Sequence, residues 1–244
     1  MFLYKYIIDY SVMKTPDTFD MHFHSTLSDW LDTVDERIVQ AKNLWLELIT
    51  LTDHDVISTT DFSNQLEEVW IHTNPSVEIS ARNYEIPKSS HLTCYANSFS
   101  EDVFDILENT RTQKIKMIFE QSKKLQKLGF IINIEEFYKT FADLWNKRES
   151  LNKFHLSQYV FQNPKNINHI KSIVWREITV GDFFTLFLKE NGDLYKKYGQ
   201  RINDYEPSVE ACWKIAQQNS AILSIAHPNF TFQKEWMDTF ELLL

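Results

Sequence analysis

Short apolar runs that close on histidine, aspartate or glutamate recur along this chain, with helix-patterned stretches between them, and that alternation limits the fold more than any other feature. Residues 46–51 (LELITL) run into Thr52-Asp53-His54-Asp55, and residues 221–226 (AILSIA) run into His227-Pro228-Asn229. Val77-Glu78-Ile79 follows the turn-forming Asn74-Pro75-Ser76, and residues 91–96 (HLTCYA) form a half-apolar strand candidate. Between them, Ile115, Ile118, Phe119, Leu125 and Leu128 recur at three- and four-residue steps. That spacing predicts a helix over 102–128, with Gly129 placed to end it. Residues 130–134 read as a short strand or the start of a helix. A second helix over 208–218 follows Pro207, with Val209, Cys212, Ile215 and Ala216 as its inner stripe, and feeds the buried strand expected over 221–226. Strand–helix alternation of this kind points to a parallel α/β sheet or barrel.

The densest set of ligand-type residues is Asp20-Met21-His22-Phe23-His24-Ser25-Thr26-Leu27-Ser28-Asp29. In a strand, residues two apart share a face, so His22 and His24 can present both imidazoles to one point, a geometry that suits a divalent metal. A half-buried strand with two incidental histidines accounts for this stretch equally well. Taken together the pattern is stronger: His54, Asp55 and His227 follow apolar runs, His22, His24 and His91 lie in or at the start of strands, and Glu78 sits inside one. A buried carboxylate costs several kcal/mol without a partner, and a metal ion is a natural one. In α/β barrels such residues gather at the strand ends, where the loops converge.

Composition narrows the setting. With 244 residues, 43% apolar and 24% charged, the chain has room for one large domain, read here as 1–244 with an N-terminal extension over 1–16. The net charge of −9 argues against general nucleic-acid binding. The basic cluster Lys123, Lys124 and Lys127 reads as a solvated helix face. Nothing approaches the roughly 18 consecutive apolar residues of a membrane span, and the opening MFLYKYIIDYSVMK lacks a cleavage site of the signal-peptide kind. Cys94 and Cys212 are too few for a disulfide framework, which fits a reducing cytoplasm. Only four glycines occur, few for a fold with many tight turns. His72 and His169 match no pattern and read as surface histidines, and the tryptophans and phenylalanines read as core.

Taken in order over residues 17–230, the motifs resemble the PHP family, the polymerase-and-histidinol-phosphatase metal-dependent phosphoesterases. The first stretch is similar to the family's first motif, Thr52-Asp53-His54-Asp55 to its second, and Val77-Glu78-Ile79-Ser80 and His91-Leu92 to the next two. Lys153-Phe154-His155-Leu156 stands where the family has a histidine opening a helix, and Ala226-His227-Pro228-Asn229 resembles its His-Pro element. The resemblance implies an α/β fold, a distorted TIM-like (β/α)7 barrel of about seven strands with two or three divalent metals (zinc, manganese or iron) at its carboxyl end. His22, His24 and Glu78 would hold the first metal, Glu78 with His91 and His155 the second, and Asp29 with His54 the third. His227 would contact the phosphate or protonate the leaving group. The implied activity is hydrolysis of a small phosphate monoester or nucleotide by a metal-activated hydroxide.

Departures from the family are specific. No Gly-Ser-Asp-x-His-like element follows His227, so the expected barrel lacks its last strand, and an oligomer would cover the open edge. Trp30 replaces the glycine usual after the Ser-Asp pair, Thr59-Thr60 stand where a glycine is common, and Asn219-Ser220 replace a glycine-rich turn. Three readings fit: a phosphoesterase, a degenerate member keeping one or two metals with little catalysis, or a barrel kept for protein contacts. The retained ligands favour the first two, and the enzyme slightly over the degenerate form. Asp53 and Asp55 are candidates to orient ligand imidazoles or to begin a turn. Arg111, Lys114, Arg148 and Lys153 are candidates for phosphate contacts or plain surface cations.

Overall fold

The computed structural model describes residues 17–30, 32–85, 88–144, 151–201 and 206–228. The expected extension over 1–16, Arg148 and Asn229 lie outside the described residues. Strand β1 (Phe19–Phe23) crosses through helix α1 (Val34–Asn43) to β2 (Leu48–Leu51), which pairs with β1 in parallel. Parallel pairing needs such a crossover. α1 starts on a reciprocal cap: Thr33 Oγ1 accepts from the Glu36 amide, and the Glu36 carboxylate accepts from the Thr33 amide. After α2 (Thr60–Glu68), β3 (Ser76–Asn83) turns directly into β4 (Lys88–Tyr95). A connection this short permits only antiparallel pairing, and the two strands pair antiparallel from Ser76↔Tyr95 to Asn83↔Lys88. β5 (Ile222–Ile225) joins the outer side of β4, also antiparallel.

The expected all-parallel sheet is therefore corrected at β4. β1, β2, β3 and β5 run in one direction and β4 alone is reversed. Among the described residues the strands form a two-stranded and a three-stranded sheet, and no closed barrel is present. The two sheets are stitched where the chain leaves β2. The Asp55 amide donates to the Glu78 carbonyl at 2.9 Å, and the Glu78 amide donates to the Asp53 carbonyl at 3.2 Å. The Tyr95 hydroxyl also donates to the Met21 carbonyl at 2.7 Å.

Helix α3 (Glu101–Lys127) fits the expected span and ends at Gly129, φ 97°. Its first turns put Val103 and Leu107 against Val77, Ile79, Leu92 and, from helix α9 (Val209–Gln218), Cys212 and Ile215. Its later turns put Ile118 and Leu125 into a separate aromatic core with Phe130, Phe137, Phe141, Phe183, Phe187 and Tyr198. That core is built by α4 (Ile134–Leu144), α5 (Lys153–Gln162), α6 (Pro164–Val174), α7 (Val180–Phe183) with a π-turn over Phe184–Leu188, and α8 (Tyr195–Tyr198). Residues 130–134 open α4: Asn133 Oδ1 accepts from the Glu135 and Glu136 amides.

Three sequence expectations change here. β5 is not a buried strand but lies at the sheet edge among the described residues, with Ile222 exposed. His169 is not a plain surface residue: its Nε2 lies 2.8 Å from the Leu128 carbonyl and its ring packs edge-on against Phe130, so it satisfies the carboxyl end of α3. The phenylalanines do fill the core, yet Trp30, Trp45, Trp70, Trp175 and Trp213, the tryptophans among the described residues, are all exposed.

Candidate metal centre

Five imidazoles surround one carboxylate. Glu78, in the middle of β3, has 0% of its surface exposed. Its Oε2 lies 3.1 Å from His22 Nε2, 2.9 Å from His24 Nε2 and 3.5 Å from His54 Nδ1. Its Oε1 lies 3.1 Å from His91 Nδ1 and 2.9 Å from His227 Nε2. The topology explains the convergence. β1 ends at His22 and His24, β2 ends beside His54, and β5 ends at His227, so three strand ends meet over β3. The reversed strand β4 brings His91 to the same place from mid-strand, paired with Ser80. The Ala226 amide donates to the His91 carbonyl at 2.9 Å and carries His227 inward.

Asp29 extends the cluster on one side, with Oδ1 3.6 Å from His24 Nδ1 and Oδ2 3.5 Å from His54 Nε2. Three overlapping groups result, His22–His24–Glu78, His24–Asp29–His54 and His54–Glu78–His91, each with ligand atoms within 4.8 Å of one another. His155 is not brought into these groups. It is 1% exposed at the start of α5, and its Nδ1 accepts the Asn152 amide at 3.1 Å in a reciprocal cap.

The electrostatics suit a cation. Burial alone would raise the Glu78 carboxyl, but His22, His227, His24 and His91 outweigh it and hold it far below the usual carboxylate range. Asp29 follows the same logic, with burial overcome by His54 and His24. Burial would lower His54, and Asp29 and Glu78 reverse the sign and raise it. For His91 burial wins over Glu78 and the shift is downward, and burial pushes His155 down to about 4. His22 Nε2 and His24 Nε2 face each other at 3.2 Å beside the carboxylate. Nitrogen and oxygen donors aimed at one another across so small a space are what a divalent ion draws together.

A supporting layer holds these residues in place. Asp53 is buried and accepts the Ser25 amide at 2.8 Å, the Ser25 hydroxyl at 2.7 Å and the Ser28 hydroxyl at 2.5 Å. Ser28 Oγ in turn lies 3.3 Å from His24 Nδ1, and Arg37 Nε donates to the His24 carbonyl at 2.9 Å. Asp53 thus anchors the loop from His24 to Asp29 and reaches the His24 ring through Ser28. Asp55, at φ 55°, accepts from the Ser80 amide, the Ser80 hydroxyl and Lys114 Nζ. Burial opposes its ionisation, but Lys114 outweighs it and the carboxyl is lowered. Lys114 and Arg111 are committed to Asp55, while Lys153 donates to the Leu188 carbonyl at 3.2 Å. Sequence reasoning did not single out Ser28 or Ser80, although both lie inside motifs it had marked.

Fold and site together define a mixed α/β scaffold with overlapping groups of metal-ligand-type side chains at its strand ends, and comparison with known proteins adds to that picture. No protein-family model matches the chain. A stretch of 74 residues is 30% identical to a phosphoribosyl 1,2-cyclic phosphate 1,2-diphosphodiesterase of Eggerthella lenta, covering 30% of this chain and 28% of that enzyme's length. Two solved structures match nearly the whole chain at 18% identity. A Bifidobacterium adolescentis protein classed as a metal-dependent phosphoesterase superposes with a TM-score of 0.68 over 94% of this chain and 76% of its own. An amidohydrolase of Chromobacterium violaceum superposes with a TM-score of 0.69 over 92% and 72%. The likeness to PHP-type phosphoesterases carried by the motifs thus holds in a partial sequence match, and the fold is that of a metal-dependent phosphoesterase structure.

Proposed function

We propose that the chain is a metal-dependent phosphoesterase of the PHP type, its open strand layer being a distorted barrel. The observation that carries this reading is the ring of five histidines on buried Glu78. His22, His24 and Glu78 would hold one ion, Glu78 with His91 and His155 a second, and Asp29 with His54 a third, zinc, manganese or iron being suited to these donors. Such ions supply a water of lowered pKa and neutralise phosphoryl oxygens. Glu78, shared by two of the ligand groups, would serve both ions, and its full burial would keep competing water from its carboxylate. Asp53 and Ser28 keep His24 turned toward Glu78. His227, the most exposed of the five rings at 36%, stands at the open side, where a leaving oxygen could take its proton. The Eggerthella lenta relative's name widens the substrate class to small phosphate mono- and diesters, nucleotides included. We place the protein in a reducing, cytoplasmic setting, which suits two buried free cysteines. Among the described residues no helix is long and apolar enough to cross a membrane. A second copy covering the edge of β5 belongs to the same proposal.

The test is a screen of phosphate mono- and diesters with metal-loaded protein, beside a Glu78→Gln control. Ester cleavage that the control lacks supports the enzyme. Tight metal binding with no cleavage of any ester favours the alternative, a metal-binding or protein-interaction module.

A further inference from the structure

Among the described residues, four helices end on the same backbone device. The amide of a left-handed residue donates to the carbonyl three residues back, and the next amide donates to the carbonyl five residues back. α3 does this with Gly129, using Gln126 at 3.1 Å and Leu125 at 3.1 Å. α1 does it with Trp45, through Trp45 to Lys42 at 3.1 Å and Leu46 to Ala41 at 3.0 Å. α2 does it with Trp70, through Trp70 to Glu67 at 3.2 Å and Ile71 to Leu66 at 3.0 Å. α9 does it with Ser220, through Ser220 to Gln217 at 3.3 Å and Ala221 to Ala216 at 2.8 Å. α6 closes on Trp175 with a single bond to Lys171 at 2.9 Å. The three tryptophans sit at φ 57°, 61° and 59°.

This is the helix-end position that glycine usually fills, because a β-carbon there crowds the following carbonyl. A bulky side chain at positive φ is a genuine outlier. Among the described residues six non-glycines have positive φ, and half of them are tryptophan. Asp55 and His227 belong to the metal centre, where a strained backbone has a use. The tryptophans have no such use: Trp45 is 84% exposed, Trp70 92% and Trp175 90%. Trp45 and Trp70 stand two residues before Glu47 and His72, whose backbones bond at 2.8 Å, while Trp175 ends α6 in the separate helical block, so a single binding surface does not account for all three. A surface, moreover, needs exposed positions but not left-handed ones. Meanwhile the chain has four glycines in 244 residues, where about 7% is usual.

We infer that positions 45, 70 and 175 are glycine in the protein made by the cells that carry this gene, the triplet translated here as tryptophan being decoded there as glycine. One decoding difference acts at every such triplet at once. It accounts together for the repeated residue at unrelated helix ends, for the exposure of all five described tryptophans and for the shortage of glycine. Trp30, next to Asp29, falls under the same reading, so the loop carrying that carboxylate would hold a glycine in the cell.

The test is tandem mass spectrometry of peptides spanning positions 45, 70 and 175, from protein isolated from cells bearing the gene rather than from a recombinant host. Glycine at all three is the expected result, and tryptophan at any of them overturns the inference. In the gene, the triplet at these positions is expected to be UGA, one base from the glycine triplet GGA; UGG at any of them would overturn it as well. A recombinant Trp45→Gly/Trp70→Gly/Trp175→Gly variant supplies an independent readout. It should melt several degrees above the tryptophan form, and a lower melting temperature would show that these are not glycine positions.

Discussion

Asp53→Ala probes whether the metal centre depends on a buried anchor rather than on its ligands alone. The substitution strands three donors, the Ser25 amide and the hydroxyls of Ser25 and Ser28, in a site that is 1% exposed. An unsatisfied buried donor costs about 1–3 kcal/mol, and the hydroxyls can rotate toward other acceptors, so the two of them fall at the low end and the total is about 3–5 kcal/mol. Burial raises the Asp53 carboxyl, with the bonds from Ser28 and Ser25 pulling the other way, so the anchor's strength rests on those three bonds. Urea denaturation of chelator-treated protein measures the loss directly, with an unchanged denaturant slope showing that the same fold is unfolding. Asp53→Asn keeps an acceptor, so it should spare most of the stability while weakening metal affinity about 10- to 100-fold through the freed Ser28 and His24. A loss below about 1 kcal/mol for Asp53→Ala would refute the anchoring argument, because three buried charge-assisted bonds cannot be removed so cheaply.

Other outcomes follow from the same geometry. Lys114→Met leaves the Asp55 carboxylate buried without its cation and should cost about 3–5 kcal/mol in urea unfolding; a neutral result would mean that water replaces the ammonium. His155 has its pKa lowered from 6.5 to about 4 by burial, so below pH 6.5 the unfolded chain takes up a proton that the folded one refuses. Metal-free protein should therefore lose about 3 kcal/mol between pH 6.5 and 4 on this account, and His155→Gln should remove that slope. His54 works in the opposite sense: raised by Asp29 and Glu78, it stabilises fully below about 6.5, and that share is lost as pH climbs through its folded value. Saturating metal at a hundredfold over its dissociation constant should stabilise the protein by about 2.7 kcal/mol per site, seen as a rise in melting temperature that EDTA reverses.

How far the sequence could be read depended on whether a feature was local. Helices α3 and α9 follow from three- and four-residue spacing and from local end signals, Gly129 and Ser208, and both lie where periodicity placed them. The convergence of His22 and His24 is equally local, a matter of alternation near a strand end. The reversed direction of β4 was not legible, because apolar content says nothing about strand direction. The informative signal was the brevity of the Asn83 to Lys88 connection, where Asn83 Oδ1 accepts the Glu85 amide to start the turn. The exposure of β5 was hidden for a related reason: its apolar run resembles a central strand, and edge position is set by which elements pair with it. His155 was legible only through its motif: one ring nitrogen caps α5, and spacing alone does not tell that use from ligation by the other nitrogen. The tryptophans misled because residue type implies burial, whereas at 45, 70 and 175 the backbone conformation sets the position.

If the histidines around Glu78 hold metal, the number of ions bound per chain will show it. Elemental analysis should be made on protein purified without chelator and again after reconstitution with zinc or manganese. Two or three ions per chain are expected from the overlapping ligand groups, with Glu78→Gln and His24→Ala losing tight binding. No bound metal after reconstitution, or wild-type metal content in Glu78→Gln, would contradict the account and leave His22 and His24 as ordinary residues of a strand end.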